Sequence, residues 1–223
     1  MGPDPGCRLE VRAVSRSGSD GQGSGCMIWL AVGFAVIFWL RHAGRPPSWA
    51  GSIAKTASTA LLAATGAITG APWLVVAGLA LGSAGDFALS RPGQVAFLAG
   101  MAAFAAGHLA YVAQMWTPAG AGQLWPLGLA MMALAISTEL WLIPRTGDLK
   151  WPVRGYVLVI TAMALAALTL PPERGLMALG AGLFVLSDLL LAIWLFIQPR
   201  RALALALWPA YWCGQALILA GSP

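Results

Sequence analysis

Apolar stretches of about membrane-spanning length alternate with short polar gaps along most of this chain. We count eight such runs, at residues 27–43, 52–70, 72–90, 93–116, 124–143, 153–171, 175–197 and 201–220. An α-helix rises about 1.5 Å per residue, so roughly 20 apolar residues are enough to cross a bilayer. Proline and glycine separate the runs, as turn-forming residues do between helices. The pattern predicts an all-α fold, namely a polytopic transmembrane helix bundle with eight transmembrane helices.

The lengths of the gaps add detail to this prediction. The gap between the second and third runs is only Gly70-Ala71-Pro72, so these two helices should form a tight antiparallel hairpin. Residues 1–26 are mostly polar and rich in Gly and Ser, which predicts a disordered tail. An alternative is a mis-called start, with translation beginning at Met27. Residues 27–221 then form one eight-helix transmembrane domain.

The composition supports a membrane protein and argues against other classes. Of 223 residues, 59% are hydrophobic and 9% are charged, and the mean hydropathy is +0.76. Soluble domains carry about 25% charged residues. The net charge of +5 is spread between the apolar runs, a pattern that orients a membrane protein and does not indicate a nucleic-acid partner. The sequence leaves the oligomeric state open.

Basic residues predict the orientation of the bundle. Most of them fall at the end that we call the basic end, which holds Arg41, Arg45, Arg91, Arg145, Lys150, Arg200 and Arg201. The opposite end has Arg174 beside Glu173. The positive-inside rule therefore places the basic end in the cytoplasm and both termini outside. We expect a multi-pass protein of the inner (plasma) membrane.

Two carboxylates lie within these apolar runs. Asp86 ends the motif Gly82-Ser83-Ala84-Gly85-Asp86 in the third run, and Ser187-Asp188 lies in the seventh. An Asp near the centre of a membrane helix costs about 2.5–3.5 kcal/mol on insertion scales, so such residues usually face a bundle interior. The polar residues predicted in the half of the bilayer nearest the basic end are Lys55, Asp86, Glu139, Tyr156 and Asp188.

We therefore expect Asp86 and Asp188 to face each other in a polar pocket. Burial disfavours the charged form of a carboxyl group, and a second carboxylate nearby adds to this effect. One Asp would then be protonated and act as an acid, while the other would be ionised and act as a base. The structural alternatives are a solvated helix end for Asp86 and an ion pair with Lys55 for Asp188.

Four segments of the chain resemble the YhhN-like lysoplasmalogenase family of multi-helix membrane proteins. They are Leu81–Asp86, Phe97–Tyr111, Gly182–Ala192 and Tyr211–Ile218. The resemblance covers about residues 28–221. One departure is Lys55-Thr56, where the family commonly has Lys-Pro.

The resemblance implies hydrolysis of the vinyl ether of lysoplasmalogens to a fatty aldehyde and glycerophosphoethanolamine or glycerophosphocholine. Asp86 and Asp188 would be the catalytic acid and base, acting on a lysophospholipid that enters from the cytoplasmic leaflet. The candidates for substrate binding are Lys55, Ser83, His108, Tyr111, Tyr156, Ser187, Tyr211 and Gln215. The sequence has no obvious His/carboxylate cluster, and we expect neither a metal nor another cofactor.

Two other classes of function are compatible with the same residues. A proton-coupled transporter of a lipid or small solute would use an intramembrane Asp pair as a proton relay. A non-catalytic lipid-binding or scaffold protein would retain its function with both Asp residues replaced by Asn. Aldehyde formation in detergent without a gradient separates an enzyme from a transporter.

Overall fold

The computed structural model describes the backbone of residues 5–117 and 125–223, and the side chains of residues 23–117 and 126–223. The described residues form eight α-helices: α1 (Pro5–Arg41), α2 (Trp49–Thr69), α3 (Trp73–Leu89), α4 (Gln94–Met115), α5 (Trp125–Trp141), α6 (Lys150–Ala167), α7 (Gly175–Phe196) and α8 (Arg201–Ala220). Each predicted run from the second onward matches one helix to within a few residues. The predicted all-α bundle is confirmed.

The amino-terminal tail is the part of the prediction that stays open. The tail predicted over residues 1–26 overlaps the first part of α1. Its side chains before Gly23 lie outside the described residues. The boundary between tail and transmembrane domain therefore remains a prediction.

Local sequence explains how α2 begins and ends. The Ser48 hydroxyl accepts a hydrogen bond from the Gly51 backbone N–H at 3.1 Å, which caps the amino terminus of α2. Gly70 ends the helix in the left-handed region, with a φ of 78°, which a residue without Cβ adopts at little cost. Pro72 then precedes α3, and α2 and α3 pack against each other as the predicted hairpin.

The bundle is built from closely packed neighbouring helices. The pairs α7–α8 and α3–α4 pack most extensively, α2 packs between α1 and α3, and α5 packs chiefly against α6. At Gly180 an added Cβ would lie 2.7 Å from the Gly214 carbonyl oxygen. Small residues at such crossings let helix backbones approach closely, as is common in membrane bundles.

The outer surface of the bundle is apolar. Trp73, Leu140 and Leu158 are 74%, 81% and 70% exposed, respectively. Six helical segments in the described part of the chain are long and apolar enough to cross a membrane. The other two helices are α3, which is apolar but has 17 residues, and α2, whose sequence includes several Ser and Thr residues and Lys55. The chain is a multi-pass membrane protein.

Candidate active site

Asp86 is held by three side chains inside the bundle. Its side chain is 1% exposed, and its Oδ1 lies 3.1 Å from the Lys55 Nζ. Thr59 and Tyr211 each donate a hydroxyl hydrogen bond to its Oδ2, both at 2.8 Å. The Lys55 side chain is 18% exposed, so the cation connects a buried carboxylate with a more open region. The ammonium and the two hydroxyls thus contact both oxygens of the buried carboxyl group.

A chain of polar groups continues from Tyr211. Gln215 donates to the Tyr211 hydroxyl at 3.3 Å and accepts from the Tyr111 hydroxyl at 2.5 Å. We call Lys55, Thr59, Asp86, Tyr111, Tyr211 and Gln215 the lysine cluster. Every one of its members was predicted as a site residue except Thr59. The spacing of four residues between Lys55 and Thr59, which places both on one face of α2, was the available signal.

Glycines of α3 provide the space for this cluster. An added Cβ at Gly78 would lie 2.3 Å from the Tyr111 ring, and one at Gly82 would lie 2.6 Å from the Gln215 Nε2. Such distances are too short for real atoms, so only glycine fits unless the neighbours move. The glycine face of α3 therefore receives side chains of the lysine cluster, in addition to allowing close packing of α3 with α4.

Asp188 lies in a second group of polar side chains. The Tyr156 hydroxyl donates to its Oδ2 at 2.9 Å, and the His108 Nε2 lies 3.4 Å from the same oxygen. The His108 Nε2 is also 3.0 Å from the Tyr156 hydroxyl. We call these three residues, which come from α4, α6 and α7, the histidine cluster. Its members are all predicted site residues, and the structure brings them together.

The two clusters are neighbours that are joined by aromatic rings. The Phe184 ring contacts the His108 ring at 4.5 Å and the Tyr211 ring at 5.2 Å between centroids. Phe104 contacts the same two rings at 6.5 Å and 5.7 Å. Among the described side chains, no hydrogen bond joins the two carboxyl groups directly. Each carboxylate thus has its own partners, and the expected ion pair of Lys55 forms with Asp86 and not with Asp188.

An apolar groove opens beside Tyr156 and Asp188 of the histidine cluster. It is formed by side chains of α4, α5, α6 and α7, together with Leu89 of α3. Asp188 is the only charged residue in its described lining, and Tyr156 lies beside it. The Asp188 side chain is 14% exposed, in contrast to the enclosed Asp86. The groove can accept a hydrocarbon chain and presents one carboxyl group to it.

A second cavity opens at the basic end of the bundle. We call it the basic cavity; the polar and basic residues of its lining are His42, Arg45, Ser48, Ser52, Lys55 and Ser90. It lies among the ends of α1, α2, α3, α4, α7 and α8 that carry the basic residues. Lys55 connects this cavity with the lysine cluster.

The groove and the basic cavity share part of their walls, and we call the shared residues the neck. Leu89, Phe97, Leu191 and Leu195 line both spaces. Leu89 follows Asp86 by three residues on α3, and Leu191 follows Asp188 by three residues on α7. Three residues correspond to about 4.5 Å along a helix axis and place side chains on the same face. The neck therefore lies about one helical turn from both carboxylates.

Three residues that were singled out from the sequence lie outside both clusters and both spaces. Ser83 is buried and donates to the Thr56 carbonyl oxygen at 3.0 Å, and Ser187 donates to the Phe184 carbonyl oxygen of its own helix at 2.7 Å. Glu139, which was expected at the same depth as the site, lies on the surface and forms an ion pair with Arg154 at 2.7 Å. None of the three lines the groove or the basic cavity.

The fold and the site together define a polytopic helix bundle with two carboxylates inside it, one of which lines an apolar groove. The model of the YhhN family matches residues 50–222. The chain belongs to the YhhN family, which confirms the resemblance found in its motifs. No solved structure matches it significantly.

Several curated relatives carry the same name. A lysoplasmalogenase of Mycobacterium tuberculosis is 32% identical over 165 residues, which is 67% of this chain and 59% of the relative. Lysoplasmalogenase TMEM86B of Sus scrofa is 35% identical over 204 residues, which is 85% of this chain and 84% of that protein. The human TMEM86B is 36% identical over 147 residues, with 65% and 61% covered. The chain spans about 60% of the length of the mycobacterial relative.

Proposed function

We propose that this protein hydrolyses the vinyl ether bond of a lysoplasmalogen to a fatty aldehyde and a glycerophospho-head such as glycerophosphoethanolamine or glycerophosphocholine. The names of its relatives support this substrate class. The observation that carries the proposal is the neck, whose residues line both an apolar groove and a basic cavity about one helical turn from two carboxylates.

The two spaces correspond to the two halves of the substrate. A lysoplasmalogen has one hydrocarbon chain, and its vinyl ether joins that chain to the polar glycerophospho-head. With the chain in the groove and the head in the basic cavity, the vinyl ether lies at the neck. Lateral entry from the membrane suits a groove between helices of a bundle. The positive-inside rule places this reaction in the cytoplasmic half of the plasma membrane.

Asp188 is our candidate for the acid. Hydrolysis of a vinyl ether begins with proton transfer to the β-carbon, which lies on the chain side of the ether oxygen, and this transfer produces an oxocarbenium ion. Asp188 lines the apolar groove on that side, where its carboxyl group faces the bound chain in this proposal. Tyr156 and His108 hold the Asp188 Oδ2 in place, and the His108 ring can exchange a proton with it.

Asp86 is our candidate for the ionised partner. Its pairing with Lys55 and its two hydroxyl donors favour the carboxylate, whose negative charge stabilises the oxocarbenium ion. Water adds to the cation and loses a proton to the base, which gives a hemiacetal. The hemiacetal then collapses to the aldehyde and the free hydroxyl of the head. Asp86 lines neither space, so the proton from the water reaches it through Lys55, which lines the basic cavity. The ammonium passes one proton to the Asp86 carboxylate and takes one from the water.

The test is aldehyde release from lysoplasmalogen by the purified protein in detergent. Asp188→Asn and Asp86→Asn should each lower kcat at least about 100-fold, because general acid–base groups contribute about 10²–10⁴-fold. Asp148→Asn is the matched control, since Asp148 is exposed and lies in neither cluster. Activity that survives both substitutions would remove the Asp-pair mechanism.

The same assay separates the enzyme from a proton-coupled transporter. Detergent micelles hold no gradient, so aldehyde release there supports hydrolysis. Absence of aldehyde from lysoplasmalogen, together with Asp-dependent uptake of a lipid or small solute into sealed vesicles at an imposed proton gradient, would replace our proposal with the transporter.

A further inference from the structure

We propose that the basic cavity is a phosphate subsite, and that Arg45 makes the protein select single-chain lipids with a phosphodiester over neutral ones of the same chain length. This inference rests on the proposed function, because it assigns the polar half of the same substrate. It adds a specificity-determining residue outside the two clusters.

The charges around the cavity are the first observation. Its described lining holds Arg45 and Lys55 and no acidic side chain. The Asp86 carboxylate, which lies outside the lining, neutralises the Lys55 ammonium at 3.1 Å. The Arg45 guanidinium, in contrast, has no ion pair or side-chain hydrogen bond within the described residues. One positive charge in the lining is therefore uncompensated, which matches the single negative charge of a phosphodiester.

A second guanidinium reinforces this charge from the wall of the cavity. Arg91 donates a hydrogen bond to the hydroxyl of Ser52, a lining residue. Its guanidinium stacks on Trp49 at 3.9 Å from the ring centroid, and no carboxylate pairs with it in the described part of the chain. Because Trp49 and Ser52 hold Arg91 in place, its charge contributes to the potential in the cavity without occupying it.

The polar groups of the cavity suit phosphate oxygens. The Ser48 hydroxyl lines the cavity at the amino terminus of α2, where the helix dipole favours an anion. The Ser48 Oγ also lies 3.3 Å from the His42 Nδ1. An anion here would gain donors from an arginine, a hydroxyl and a lysine, which together are typical of phosphate recognition.

The position of the cavity next to the groove favours a lipid over a free anion as its ligand. The four neck residues line the basic cavity and the apolar groove alike. A phosphodiester bound in the cavity is thus separated from the groove by the neck alone. A single-chain lipid fills both spaces, whereas inorganic phosphate fills one. After cleavage at the neck, the water-soluble head leaves through the basic cavity and the aldehyde stays in the groove.

Binding of two uncleavable ligands tests the subsite separately from catalysis. Hexadecyl glycerophosphoethanolamine and hexadecylglycerol are saturated ethers that differ in the phosphate head, and their affinities are measured by tryptophan fluorescence in detergent. Arg45→Gln should weaken the phosphate lipid about tenfold, the size of one charge-assisted hydrogen bond, and should leave hexadecylglycerol unchanged. Arg200→Gln, which removes an exposed charge at the same end outside the cavity, should change neither.

Three binding results would overturn the subsite. If Arg45→Gln weakens the binding of both ligands equally, or weakens neither, Arg45 does not recognise the phosphate. Inorganic phosphate that binds as tightly as the phosphate lipid shows a free-anion site instead. Aldehyde release is measured separately from binding. If the two ligands bind as expected but no aldehyde is released, the hydrolase proposal is wrong. If aldehyde is released but Arg45→Gln does not weaken the phosphate lipid selectively, the subsite proposal is wrong.

Discussion

Removing the Lys55 ammonium should destabilise the protein, because it would leave the Asp86 carboxylate buried without its counter-ion. Asp86 is 1% exposed, and its Oδ1 has Lys55 as its ionic partner at 3.1 Å. Breaking a buried ion pair by removing one member costs about 3–5 kcal/mol. At about 2–4 °C per kcal/mol for a chain of this size, Lys55→Met should lower the Tm by about 6–20 °C.

The reverse substitution should cost less, and the two together should not add. In Asp86→Asn the remaining Lys55 is 18% exposed and lines the basic cavity, so it can be hydrated. The amide oxygen can still accept from Thr59 and Tyr211, and we expect a loss of about 1–2 kcal/mol. The double variant buries no unpaired carboxylate. It should be more stable than Lys55→Met alone by about 1–2 kcal/mol, which a double-mutant cycle detects.

The assay is thermal unfolding in detergent, followed by tryptophan fluorescence at fixed protein and detergent concentrations. Lys150→Met is the matched control, because Lys150 is an exposed lysine outside both clusters. A Tm of Lys55→Met within 2 °C or so of that control, or a double variant no more stable than the single one, would refute the view that this pair is a desolvated charge pair.

Two further predictions concern the packing of the site and its chemistry. Gly82→Ala should lower the Tm, because the added Cβ would lie 2.6 Å from the Gln215 Nε2. Gly182→Ala is the control, since its added Cβ meets open space and should leave the Tm unchanged. Equal Tm values for the two variants would contradict this prediction. Tyr156→Phe removes the hydroxyl that donates at 2.9 Å to the carboxylate in the groove. It should lower kcat for aldehyde release about 10- to 100-fold with little change in KM, and a change in KM alone would argue against the proposed role.

The local pattern of the chain was enough to predict the architecture. Runs of about 20 apolar residues separated by Pro and Gly can satisfy their backbone hydrogen bonds in lipid only as helices. The number and limits of the helices and the hairpin at Gly70 therefore follow from short-range features. The sequence also showed that Asp86 and Asp188 lie within apolar runs, where inserting a carboxylate into the membrane costs free energy.

Only the tertiary structure decided which polar groups meet. The sequence predicted one pocket in which the two carboxylates face each other, and the structure places Asp86 with Lys55 and Tyr211, and Asp188 with His108 and Tyr156. Their joint action stays a proposal. The pairing of Glu139 with Arg154, 15 residues further along the chain, was equally hidden.

The physical reason is that partner choice depends on the rotation and tilt of each helix. In a membrane bundle these are set by small residues and shape complementarity between helices, which are properties of pairs of surfaces and not of one segment. The neck illustrates this: four apolar residues from three helices become a junction between a groove and a basic cavity only after the bundle has packed. Hydrophobicity along the chain determined what crosses the membrane, and packing between helices decided where the groove and the basic cavity lie.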